Sequence, residues 1–163
     1  MEARPPSASH SVLTRWMSIP EANTAGNVHG GTIMKLCDEV AGIAAIRHSG
    51  SRVVSAGMDR MTFRHPVYVG ELVTVKATVN AAWGTSMEVG VRVEKENVLT
   101  RETLHASTAY LTMVALDEQR RPTQVPPLAP DTPEQHRRAR DAQLRRDNRL
   151  AERDQIAANR TAD

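Results

Sequence analysis

"GNVHGGTIMKLCDEVAGIAA", residues 26–45, opens on glycines, an asparagine and a histidine, then turns apolar. Inside the apolar run stand two adjacent carboxylates, Asp38 and Glu39. Apolar residues cover most of a 3.6-residue period, so the segment reads as a buried helix over about 30–48. The two glycines at its start leave backbone N–H groups uncovered, and the helix dipole makes that end electropositive. Lys35 and Glu39 are four residues apart and can share the wet side. Asp38 lies ~100° around from Glu39, in line with Met34, Ala41, Gly42 and Ala45, where the alanines and the glycine let another backbone come close. Glu39 is therefore expected in solvent, and Asp38 partly buried at a contact surface.

Around this helix the chain has strand character. Ser11–Met17 reads as a first strand, ended by Pro20. Four more follow the helix: 52–63, 71–82, 85–96 and 103–116. The second alternates Val73, Val75, Ala77 and Val79 with Thr74, Lys76 and Thr78. The third sets Met87, Val89, Val91 and Val93 opposite Glu88, Arg92 and Glu94. Short connections favour sequential pairing of these four as an antiparallel meander. A helix apolar nearly all round must be wrapped, and a curled sheet does that. The expected class is α+β, a hot-dog fold: an antiparallel sheet of about five strands around one long central helix.

The 163 residues suffice for one core, and with aromatics at only 3% that core must be built from Val, Leu, Ile, Met and Ala. One cysteine, Cys37, excludes an internal disulfide and fits a reducing, cytoplasmic setting. No run approaches the ~18 apolar residues of a membrane span, and the N-terminus lacks the pattern of a secretory signal. A net charge of +2 says little about partners. Pro126, Pro127 and Pro130 separate a domain of about 8–125 from a tail, 126–163, that carries eight arginines nearly matched by acids. Thr132-Pro133-Glu134-Gln135 is a helix start, so the tail is expected as a solvated, charged helix over about 132–158. Nucleic-acid binding by it is the weaker reading.

Singly, each polar residue of the opening stretch has an ordinary explanation: Asp38 as a subunit or loop contact, Asn27 as a cap, His29 as a surface imidazole, Gly30 and Gly31 as turn residues. Together they are more specific. A carbonyl oxygen placed at the Gly30–Gly31 end would be polarised by free N–H groups, and a semi-buried carboxylate is a common acid or base. Asp38 is eight residues beyond Gly30, ~12 Å along the axis. One small carbonyl cannot touch both, so a shared site requires two antiparallel copies of the helix across a two-fold interface. There is no G-x-S-x-G nucleophile elbow and no Walker sequence, and the six histidines lack metal-ligand spacing. Cys37 reads as a small core residue.

The motif N-x-H-G-G-x-x-M-K-x-x-D-x-x-A-G-I, Asn27 to Ile43, resembles the signature of the hot-dog acyl-CoA hydrolases, the cytosolic and brain-type acyl-CoA thioesterases and their bacterial single-domain relatives. FRHPVYVGE at 63–71, TSMEV at 85–89, ENVLT at 96–100, AYLTMVALD at 109–117 and VPP at 125–127 extend the likeness over about 10–150. The resemblance implies hydrolysis of fatty acyl-CoA without cofactor or metal, coenzyme A being part of substrate and product. It implies that Asp38 activates or orients water and that Asn27 completes the site across the interface, so that a homodimer holds two sites. Gly30 and Gly31 would polarise the carbonyl. Coenzyme A would contact the backbone at Ala56, Gly57 and Met58 and at Thr85, Ser86 and Met87, with a basic tail residue nearest Arg145 at the phosphates. Assembly as a trimer of dimers is implied too. A dehydratase of the same fold and a non-catalytic acyl-CoA-binding protein are the alternatives.

Overall fold

Period-2 alternation becomes sheet and the 3.6-period run becomes helix in the computed structural model, which describes residues 1–161. Strand β1 (Ser11–Trp16) precedes α1 (Gly30–Ser49). Then come β2 (Arg52–Met58), the two-residue β3 (Thr62–Phe63), β4 (Leu72–Trp83), β5 (Ser86–Glu96) and β6 (Thr103–Leu116). Helix α2 (Pro133–Thr161) ends the described chain. All strands pair antiparallel in one sheet of order β1-β4-β5-β6-β2, with β3 also on β6.

Two expectations need correction. The segment 52–63 is not one strand. It leaves the ladder after Met58 and returns for two residues as β3. Nor is the pairing a simple meander: β2 crosses to the far side of β6, and β1 takes the place beside β4. The connection from Asp59 to Glu71 is no tight turn and imposes no hairpin on β2 and β4. Pairing on the free side of β6 lets the sheet curl further around α1.

The inner face of the sheet is an aliphatic layer. Val73, Val75, Val79, Val89, Val93 and Ala109 are each fully enclosed. They share one cluster with Ile33, Leu36, Cys37, Val40 and Ala44 of α1. Small and β-branched residues suit the layer, because strands favour branching and α1 must lie close. Each large aliphatic side chain so buried contributes about 1.5–3 kcal/mol. Gly50 ends α1 in the left-handed region, at φ +71°, and its N–H donates to the Ile46 carbonyl at 2.8 Å. Arg4 covers the same end, donating to the carbonyls of His48 at 2.6 Å and Arg47 at 3.3 Å. His48 is fully buried there. Its Nε2 lies 2.9 Å from the Pro126 carbonyl, which can only accept, so Nε2 carries the proton and Nδ1 has no partner.

Helix α2 starts as its sequence dictates, with Thr132 Oγ1 accepting from the Gln135 N–H at 3.2 Å. It is not a merely solvated helix, however. Ala142 is completely buried, and Arg145 reaches the outer face of the sheet. None of the described helices is long and apolar enough to cross a membrane.

Candidate active site

The start of α1 is bare. His29 precedes it without a side-chain cap, and among the described residues no acceptor reaches the N–H groups of Gly30 or Gly31. A side chain at Gly30 would press against Phe63 (3.3 Å to its ring), whereas one at Gly31 would meet open space. The glycine end thus has a wall on one side and an approach on the other.

The loop before it is tied by Asn23. Its Oδ1 accepts the N–H groups of Ala25 at 2.9 Å and Asn27 at 3.1 Å, leaving its amide NH2 free to donate. Asn27 is held through its backbone, bridged to Tyr68. Sequence reading singled out Asn27 and passed over Asn23. The Asx-turn pattern, an asparagine two residues before the Ala25 amide it binds, was the available signal.

Asp38 stands in the middle of α1, and the single chain leaves it exposed, not partly buried. Met34 on the same line is exposed as well, although Ala41 and Ala45 further along are fully enclosed. The expected salt pair forms on the wet side, Lys35 to Glu39 at 3.9 Å. Ser55 Oγ donates to Asp38 Oδ1, fixing the carboxylate against β2. Ser55 is a second residue that sequence reading missed. A lone hydroxyl in the otherwise apolar VVSAGM strand was its signal. Cys37, one residue away, is fully enclosed. Burial, and then the charge of Asp38, push its thiol up to about 12, so it stays protonated and unreactive.

Strand β2 is an edge. Val54, Ser55, Ala56 and Gly57 are exposed, and the ladder slips between Ser55 and Gly57, leaving Ala56 unpaired on β6. The segment 56–58 therefore offers free backbone groups. Thr85 and Ser86 are half-buried at the β4–β5 turn, while the Met87 side chain is sealed inside the core and has only its backbone near the surface. Asp38, Ser55 and the 56–58 segment come together on one side of the fold.

Arg145 is engaged on the outer face of the sheet. Its Nε and Nη2 grip Glu88 at 3.0 and 2.6 Å, and its guanidinium lies 3.6 Å from the Tyr110 ring centroid. Burial disfavours its charge, but the Glu88 carboxylate more than offsets this and raises its pKa. Arg146, the next residue, stacks over Trp83 at 4.6 Å and lies 3.4 Å from Ser86 Oγ. Among the described residues no carboxylate pairs with Arg146, and no three metal-ligating side chains gather.

Comparison with known proteins supplies the family. Residues 25–101 match the thioesterase superfamily model, which spans the glycine end, Asp38 and strands β2 to β5. An uncharacterized acyl-CoA thioester hydrolase of Bacillus subtilis is 36% identical over 115 residues, 71% of this chain and 67% of the relative. The chain belongs to the acyl-CoA thioester hydrolases of the thioesterase superfamily. The fold agrees: an apo-hexameric acyl-CoA thioesterase superposes with a TM-score of 0.89 at 35% identity, covering 93% of this chain and 97% of that one. The acyl-CoA hydrolase of Staphylococcus aureus, solved with butyryl coenzyme A and coenzyme A, gives 0.88 at 30% identity and 96% coverage of both chains. Variants of that enzyme with an asparagine, an aspartate or a threonine replaced by alanine have also been solved.

Proposed function

We propose that this hydrolase cleaves fatty acyl-CoA by water attack assisted by Asp38, in a site shared by two subunits. The observation that carries the reading is Asp38 itself: a carboxylate held by Ser55 at the margin of a bare sheet edge, ~12 Å along the helix axis from the free N–H of Gly30. Water bound to Asp38 gives up a proton as its oxygen attacks the thioester carbonyl carbon. The N–H groups of Gly30 and Gly31 take the negative charge of the oxyanion. Its collapse expels the coenzyme A thiolate, which recovers the proton from Asp38. A thiolate departs readily because its thiol pKa is about 8.5, so no metal or strong acid is needed.

Pairing of two β2 edges across a two-fold axis would cover Val54 and the Met34–Asp38 side. It would also bring each Gly30–Gly31 end toward the other subunit's Asp38. A trimer of such dimers accords with the hexamer named for a solved relative. The rat relative's name, cytosolic acyl coenzyme A thioester hydrolase, supports a cytoplasmic setting.

In the Staphylococcus aureus enzyme the replaced asparagine, aspartate and threonine stand 15 and 17 positions apart in the chain. Asn23, Asp38 and Ser55 repeat both intervals. This favours Asn23, with its free amide NH2, as the polar companion of the site, and leaves Asn27 to shape the loop. Coenzyme A would lie along 56–58 and 85–87, with Arg146 rather than Arg145 at its phosphates, because Arg145 is committed to Glu88.

The test is turnover of palmitoyl-CoA followed by released thiol. Asp38→Asn is expected to lower kcat by about 10²-fold or more, the scale of general-base loss, with the thermal transition unchanged. Wild-type turnover in a folded variant would overturn the reading. Asn23→Ala should cost more activity than Asn27→Ala. Mixed, subunit-exchanged Asn23→Ala and Asp38→Asn chains should regain activity, and their failure to do so would remove the shared site.

A further inference from the structure

Helix α2 is anchored to residues that flank both segments assigned to coenzyme A. Gln143 accepts from Trp83 Nε1 at 2.7 Å, just before the 85–87 turn. Arg145 grips Glu88, just after it. Arg149 donates to Asp59 Oδ2 at 2.7 Å, one residue past the 56–58 segment, and stands 3.8 Å from Glu88 Oε2. The ladder explains why these partners are close: Glu88 and Gly57 both face Thr112, from opposite sides of β6. Arg149 therefore bridges β5 to the residue that follows the edge strand β2.

Glu88 is the hub of this network. It is wholly buried, and three hydrogen bonds converge on it, two from Arg145 and one from Asn80, whose Nδ2 lies 3.2 Å away, with Arg149 adding an ion pair at 3.8 Å. A bulge in β4 frees Asn80 for that bond, and Gly90 makes room for it, since a Cβ there would sit 2.4 Å from Asn80 Nδ2. A carboxylate removed so fully from water needs such satisfaction. Nothing in the thioester chemistry uses it.

We propose that Glu88 is a positioning residue for the nucleotide end of coenzyme A. Through Arg145 and Arg149 it fixes α2 beside both ligand segments, and thereby holds over Trp83 the guanidinium of Arg146, which pairs with no carboxylate among the described residues. The inference rests on the acyl-CoA reading above, but it concerns affinity for the carrier, not the chemical step.

The experiment compares two thioesters of one acyl group: acyl-CoA, and the S-acyl-N-acetylcysteamine thioester, which lacks the nucleotide and its phosphates. Glu88→Gln keeps the volume and removes the charge. It is expected to raise KM for acyl-CoA about tenfold, the loss of roughly one charge-assisted hydrogen bond, with kcat changed less than twofold. Its kcat/KM on the short thioester should equal wild type. An equal fall on both substrates, or no change on either, would overturn the proposal. Arg149→Gln, at the more exposed rim, should show the same split and serves if Glu88→Gln does not fold. Calorimetric titration with coenzyme A separates the two readings. If wild type binds coenzyme A without hydrolysing acyl-CoA, the catalytic reading fails alone. If wild type and both variants bind coenzyme A equally, the positioning role fails alone.

Discussion

On the inner face of the sheet, α1 sets Leu36, Val40 and Ala44 among the valines of β4 and β5. On the outer face, α2 sets Arg145 and Arg149 against Glu88 and Asp59. The first contact is non-directional, and its strength scales with area removed from water. The second depends on a few bonds of fixed geometry, because the guanidinium fork must meet its carboxylate squarely. A helix with eight arginines in its segment cannot dock by apolar burial. The two sides should therefore fail differently when perturbed.

The largest effect is expected on the outer face. Arg145→Ala leaves the buried Glu88 carboxylate without its main partner and should cost about 3–5 kcal/mol in urea unfolding. The joint replacement Glu88→Leu with Arg145→Met should restore most of that loss, since a buried pair is often matched by apolar residues of similar volume. A double variant as unstable as the single one would mean that α2 is not held mainly by this pair. Leu36→Ala tests the inner face. At 2% exposure it should lose about 2–5 kcal/mol, and no second substitution of charge should rescue it.

Gly90→Ala comes next. The added methyl would collide with the Asn80 amide and should destabilise by about 1–3 kcal/mol. Asn80→Ala in the same chain should recover part of the loss, as read from paired thermal melts. The smallest effect concerns pH. Burial holds the His48 pKa down against the Pro126 hydrogen bond, and Arg4 adds to the lowering. The unfolded chain then binds the proton more readily. Stability from this source is complete above about pH 6.5, the unfolded value, and is lost as pH falls toward the lower folded one. His48→Gln should flatten that part of the stability–pH curve, where the slope is at most about 1.4 kcal/mol per pH unit. His105, also held low by burial and by Arg92, keeps a remaining slope of the same sign.

The inner face was the more legible in sequence. The alternation of 71–82 and 85–96 marks which residues point at α1, and β6 runs over Thr103–Leu116 as expected. The glycine end and Asp38 were readable because bare backbone and a carboxylate are anomalies in an apolar helix. The outer face was not readable. Glu88 sits in an alternating strand beside Arg92 and Glu94, where a charge ordinarily means solvent, and the partner that encloses it lies 57 residues away. Asn80 is displaced by a bulge that no local pattern announces. The departure of β2 to the far edge depends on where β6 ends up, which is a property of the closed sheet. Asn23 and Ser55 look like ordinary loop and strand polar residues until the fold sets them beside Asn27 and Asp38.

Cys37 carries a practical consequence. A reagent that reports free sulfhydryls would ordinarily register the protein's own thiol as background, and alkylating agents would ordinarily be suspected of poisoning an enzyme with a cysteine beside its candidate catalytic aspartate. Here the chain's one thiol is enclosed and protonated at any working pH. The colour that develops during turnover should therefore count released coenzyme A and nothing else, and pretreatment of the native protein with iodoacetamide should leave the rate untouched.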